Sequence, residues 1–98
     1  MIDEQSLIDN DFLRQFELKV DQQLAKIEYS LQERKIFLTK LVIPEDVFSE
    51  SLKNDFITLV FKHIEDRNLS IVPTSPEIAK FMRKNRQYKN MLPVGVRI

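Results

Sequence analysis

Hydrophobic and polar residues alternate early in the chain. Phe16, Leu18 and Val20 alternate with Glu17, Lys19 and Asp21, and Ala25, Ile27, Tyr29 and Leu31 alternate with Lys26, Glu28 and Ser30. A period of two predicts two half-buried strands, joined by a turn at Asp21-Gln22-Gln23. A second turn, Gln32-Glu33-Arg34, leads into residues 35–43. This stretch is nearly continuous in apolar residues (Ile36, Phe37, Leu38, Leu41, Val42, Ile43), which suits a central strand covered on both faces. Pro44 ends it. The apolar spacing then changes to three and four at Leu52, Phe56, Leu59, Val60 and Ile64. That pattern predicts an amphipathic helix of about 16 residues from near Ser49 through Asp66. Ser49, Glu50 and Ser51 are residues expected at a helix start, and Asn68 suits the C-terminal cap. Residues 69–73 read as a short strand, parallel to the third by a right-handed crossover. Ser75-Pro76, a cap followed by proline at the first helical position, opens a second helix with the stripe Ile78, Ala79, Phe81 and Met82. Residues 85–98 read as a tail with Tyr88, Met91 and Leu92 as docking residues. The order is β-β-β-α-β-α, an α/β (α+β) domain.

Composition narrows the function classes. The chain has 98 residues, 43% hydrophobic and 31% charged, enough for one core and no more. Residues 1–11 carry Asp3, Glu4, Asp9 and Asp11 and no base, so they read as a flexible acidic leader. Residues 12–92 are then the domain and 93–98 a C-terminal tail. Lys plus Arg and Asp plus Glu are 15 each, giving zero net charge, which argues against a general nucleic-acid binder. There is no cysteine and one histidine, His63. Disulfides, thiolate metal sites and cysteine nucleophiles are thereby excluded, and no metal site is expected. No apolar run approaches the ~20 residues of a membrane span. The acidic start differs from a secretory signal, so a cytoplasmic location is expected. The single glycine, Gly95, weakens every function that needs a glycine-rich phosphate loop.

The second half carries a resemblance. Asn68-Leu69-Ser70-Ile71-Val72-Pro73-Thr74-Ser75-Pro76 leads to Ile78-Ala79-Lys80-Phe81-Met82-Arg83-Lys84-Asn85 and then Tyr88. This resembles the small single-domain members of the GNAT N-acetyltransferase superfamily. Their pattern runs Gly-Leu-x-(Val/Ile)-(Val/Ile)-Pro-(Ser/Thr)-Cys-(Ser/Pro), then an apolar helix, then Arg-(Arg/Lys)-(His/Asn)-Pro-x-Tyr. Upstream, Lys40-Leu41-Val42-Ile43-Pro44 takes the place of a strand ending His-Thr-x-Val-Pro, and residues 48–54 take the place of a Gly-x-Gly loop. The pattern can be laid over residues 16–92. The resemblance implies a GNAT-like, mostly antiparallel sheet whose last two strands are parallel, with helices packed on it. It also implies an acetyl-CoA site between the diverging strands, with the pyrophosphate at the helix start.

The departures fall where that chemistry would be. Ser49 and Ser51 stand where glycine would, Asn54 at a further small-residue position, and Glu50 adds a negative charge. Ser49, Ser51, Leu52, Lys53 and Asn54 are the candidate coenzyme-binding residues. The family's cysteine position holds Ser75, and its histidine position holds Lys40. A serine hydroxyl is inert without an adjacent base, and His63 lies ~21 Å along the helix from its start, at the far end of the domain from Ser75. Transfer without a covalent intermediate would need only a base near the amine and a donor to the thioester carbonyl, to which Glu45, Asp46 or Lys40 could contribute. The expected function is a GNAT-like domain with weak or absent acetyl-CoA binding, serving as a binding or regulatory module (a pseudoenzyme). The alternative is an active acetyl-CoA-dependent N-acetyltransferase with a rebuilt phosphate loop and direct transfer to an amine.

After Glu77 there is no acid, while Lys80, Arg83, Lys84, Arg86, Lys89 and Arg97 are basic. This patch could meet an acidic protein partner, RNA, or a phosphate of CoA. The exposed edge of the first predicted strand is a candidate homodimer seam.

Overall fold

The computed structural model describes residues 7–96 and 98. Five strands, β1 (Leu7–Asn10), β2 (Gln15–Val20), β3 (Gln23–Gln32), β4 (Lys35–Val42) and β5 (Ser70–Pro73), form one sheet in the order β1-β2-β3-β4-β5. β1 to β4 are antiparallel neighbours, and β4 pairs with β5 in parallel. Helix α1 (Glu50–Asp66) connects those parallel strands, and α2 (Pro76–Lys84) follows β5. Short 3-10 helices occupy Glu45–Val47 and Arg86–Met91.

Alternation places Phe16 and Leu18 of β2, Ala25, Ile27 and Tyr29 of β3 and Ile36 and Leu38 of β4 in the core. The three-four spacing of α1 adds Phe56, Ile57, Val60, Phe61 and Ile64, and α2 adds Ile78, Phe81 and Met82 to the same cluster. Both helices therefore cover the same side of the sheet. Phe61 meets Phe81 and Tyr88 edge-on at 5.6 and 5.1 Å, an aromatic arrangement that ties the two helices together. α1 ends as expected at Asn68, which takes a left-handed conformation (φ 58°). The N–H of Asn68 donates to the Glu65 carbonyl and that of Leu69 to the Ile64 carbonyl, the paired bonds of a Schellman end.

Four expectations change. The acidic leader over residues 1–11 is in part a strand: Leu7–Asn10 pairs with β2, because Asp9 finds partners distant in sequence. Residues 1–6 lie outside the described residues. The edge of the first predicted strand is consequently covered by β1, so it is no free dimer seam. The strand at residues 35–43 is not covered on both faces: Lys35, Thr39 and Lys40 are exposed and Phe37 half-buried, since both helices pack on the other side. The tail contains the 3-10 helix at Arg86–Met91, with Met91 buried and Tyr88 and Leu92 packed on the core.

The turns between strands are made without glycine. Asp21 and Gln22 both have positive φ, 48° and 65°, and link Val20 to its partner Gln23. This is the two-residue hairpin geometry that matches strand twist.

Candidate functional site

The site begins where two strands part. β4 and β5 pair from Lys35 opposite Ser70 to Leu38 opposite Pro73. The Leu38 carbonyl closes the ladder by accepting the Ser75 backbone N–H and the Thr74 hydroxyl, each at 2.9 Å. Beyond it, Lys40, Leu41 and Val42 pair with β3 alone. The β3–β4 register also shifts here: Tyr29 faces Leu38 and Glu28 faces Lys40, leaving Thr39 as an extra residue. Such a bulge bends the strand and re-aims its side chains. The Thr39 hydroxyl donates to the Glu28 carbonyl at 3.2 Å.

Past the end of the β4–β5 pairing lie two neighbouring hollows, the two halves of the candidate groove. One, about 240 Å³, is lined by Leu41, Val42, Ile43, Phe48 and Glu77. The other, about 230 Å³, is lined by residues of α1 and α2, among them Glu50, Lys53, Asn54, Glu77, Lys80 and Lys84. Glu77 belongs to both halves. One half thus has apolar walls, the other has three lysines, and a single carboxylate is common to both. This arrangement suits a ligand with an uncharged arm at one end and anionic groups at the other.

The helix start is built from ordinary backbone. Ser49 is extended (φ −151°, ψ 157°), and its hydroxyl accepts the Leu52 N–H at 3.0 Å. Positive φ occurs at Arg14, Asp21, Gln22, Glu33, Asn68 and Gly95. None of these lies in residues 44–54, so replacing glycine there strains nothing. What the serines change is space, not conformation. Glu50 does not stand as a bare negative charge either, because the Lys53 ammonium lies 3.0 Å from its carboxylate.

The structure distributes the expected site residues unevenly. Lys53 and Asn54 line the lysine half of the groove. Ser51 is exposed on the first turn of α1, and Leu52 is half-buried against the core. Lys40 is exposed beside the bulge, opposite Glu28. Ser75 is buried (2% exposed). It occupies the cap position of α2, but its side chain accepts no helix N–H, so Pro76 at the first position and the bond to Leu38 fix this start instead. Glu45 and Asp46 are exposed on the 3-10 helix ahead of α1. The basic patch divides: Lys80 and Lys84 line the groove, Arg83 and Arg86 are exposed elsewhere, and Lys89 lines a different hollow with Leu92, Val96 and Ile98. Arg97 lies outside the described residues.

His63 belongs to the opposite edge of the sheet. Asp9 on β1 accepts the Tyr29 hydroxyl at 2.5 Å and the Arg67 guanidinium at 2.8 Å. The buried Nε2 of His63 lies 3.5 Å from the same carboxylate without a hydrogen bond, and the ring meets Phe16 edge-on. Burial, and next the bond to Asp9, push the Tyr29 phenol up to about 12, because both disfavour the phenolate.

Sequence reasoning missed Glu77 and Phe48 as groove residues. An acid in a first helical turn is explained by the helix dipole alone, and a lone aromatic before a helix carries no pattern. Among the described residues, no cluster of three metal-ligating side chains occurs, and no helix is long and apolar enough to cross a membrane. A family model described as GCN5-related N-acetyl-transferase matches residues 15–91. No curated protein matches the chain.

Proposed function

The chain belongs to the GCN5-related N-acetyltransferase family, and on that premise we propose that its groove binds acetyl-CoA and presents the acetyl group directly to an amine. The observation that carries this reading is that two hollows share Glu77, one walled by Leu41, Val42, Ile43 and Phe48 at the end of β4 and one lined by Lys53, Lys80 and Lys84. Leu41, Val42, Ile43 and Phe48 offer an apolar wall for the uncharged arm. The three lysines and the N–H groups of Glu50 and Ser51, which have no acceptor within the helix, suit the phosphates, the Leu52 N–H being taken by the Ser49 hydroxyl. Bound acetyl-CoA supplies an activated acetyl thioester.

The chain's own residues then have limited tasks. They hold the arm against β4, neutralise the phosphates, and keep the amine beside the strand split. A covalent step through Ser75 is disfavoured by its burial and by the place of His63 at the far sheet edge, since a hydroxyl nucleophile needs a neighbouring base.

A second reading, a regulatory module that binds coenzyme A poorly and transfers nothing, is favoured by Glu50 and the serines at the α1 start. Calorimetric titration with acetyl-CoA, paired with detection of acetylated amine, separates the two. Micromolar binding with product formation is expected. Absence of binding at millimolar acetyl-CoA would overturn the proposal and leave the regulatory reading, and micromolar binding without product over a panel of primary amines would overturn both the transfer step and the poor-binding module.

A further inference from the structure

We infer that His63 is a proton-operated latch on the first strand. When its ring takes up a proton, Asp9 gains a second bond from the end of α1 and β1 is held more firmly on the sheet; when the ring is neutral, that bond is missing. The inference is independent of the acetyl-transfer reading. It concerns the one strand that lies outside the family match.

An unpartnered atom carries it. Among the described residues, Nε2 of His63 is the one buried side-chain nitrogen or oxygen without a hydrogen bond. It lies 3.5 Å from Oδ2 of Asp9. That oxygen accepts the Arg67 guanidinium at 2.8 Å, while Oδ1 accepts the Tyr29 hydroxyl. A neutral imidazole carries one N–H and one lone pair. With the proton on Nδ1, a lone pair faces the carboxylate; with the proton on Nε2, the N–H stands outside normal bonding distance. An imidazolium donates from both nitrogens, and its charge draws the Nε2 N–H onto Oδ2. The ring is 38% exposed, so a proton reaches it from solvent without the fold opening.

The surrounding charges decide the sign. β1 presents Asp9, β2 presents the apolar Phe16 ring with Arg14 just ahead of it, and β3 presents Tyr29 through the shared carboxylate. On α1, Lys62 directly precedes His63, and Asp66 and Arg67 follow at three and four positions. Asp9 and Asp66 favour a charged ring; Arg14, Lys62 and Arg67 oppose it. Asp9 is in direct contact, Arg67 already spends its charge on the same carboxylate, and His63 sits in the last turn of α1, where the helix dipole favours a cation. The charged ring has its partner only while β1 is docked. Its hold is therefore complete at mildly acidic pH and is lost as pH rises through the range in which imidazoles titrate. Tyr29, pushed up to about 12, stays protonated throughout.

The chain has a single histidine, so one ring signal reports the proton. NMR of the full chain from about pH 5.5 to 8 records that signal together with hydrogen-exchange protection factors, corrected for intrinsic exchange, in residues 7–10 and in residues 57–61 of α1. Protection of residues 7–10 is expected to fall about fivefold as pH rises, with the midpoint of the ring signal, while residues 57–61 stay constant. His63→Gln should hold residues 7–10 at the lower value across the window. In Asp9→Asn the ring should titrate with no accompanying change in residues 7–10. Constant protection of β1 while the ring titrates, an equal fall in both segments, or a pH dependence that survives His63→Gln would overturn the inference. The first two outcomes are read on the unaltered chain and need no variant to fold.

Discussion

At the β1 edge of the sheet, charges are gathered and consumed: Asp9 takes the Tyr29 hydroxyl and the Arg67 guanidinium, and His63 is pressed beside them against Phe16. At the β5 edge, charges are spread and left available: Glu77, Lys80 and Lys84 face an open groove and form no ion pairs among the described residues. Among the described residues, the one large perturbation of a titratable group, at Tyr29, belongs to the first edge. A shifted pKa is often a pointer to chemistry, but here it marks a fastening. The family match begins at residue 15, so β1 and Asp9 lie outside the part of the chain that carries the acetyltransferase pattern. Tight pairing serves this chain's own first strand, and sparse pairing serves the groove.

Three experiments would break or sharpen this contrast. The largest effect is expected for Phe16→Ala. Its ring is fully buried, 4.8 Å from Tyr29 and 5.5 Å from His63, so deletion should cost about 3–5 kcal/mol in chemical denaturation. A loss below 1 kcal/mol would show that the β1 edge does not depend on it. Next, Asp9→Ala leaves the buried Tyr29 hydroxyl without its acceptor and Arg67 without its partner. A loss of about 1–3 kcal/mol is expected, with faster hydrogen exchange in residues 7–10 and unchanged acetyl-CoA affinity. Weakened affinity would show that the two edges are coupled. The smallest effect concerns pH. Raising the Tyr29 phenol from 10.0 to about 12 favours the neutral form in the folded state. The stability it contributes is therefore complete below pH 10 and is lost as pH climbs from 10 toward 12. Tyr29→Phe should flatten the denaturation midpoint across that window, and an unaltered slope would remove Tyr29 as its cause.

The regular parts of the fold were legible because each element writes its own period. Phe16, Leu18, Ala25, Ile27, Leu52, Phe56, Val60 and Ile64 repeat at two or at three and four, and these intervals belong to strands and helices whatever surrounds them. β1 has no such signature. It is four residues long, and one of the contacts that hold it joins Asp9 to Arg67, 58 positions away. The run at residues 35–43 misled for a related reason: the count of apolar residues does not say that both helices will choose one face. In the groove, Lys53 and Asn54 could be found by motif position, whereas Glu77 could not, since only the approach of α2 to the end of β4 gives it a role beyond its own helix.

The doubly occupied oxygen of Leu38 has a consequence for how ligands enter. With Ser75 and Thr74 both bonded to that single atom, the sheet has a zipper stop: the last rung is filled twice, and the chain beyond it is already committed to α2. The two strands cannot close over the gap while those bonds persist, so an incoming molecule meets an entrance that stands ajar. Free energy of association is then not diverted to prising strands apart, and the arrival rate should follow diffusion rather than an opening step.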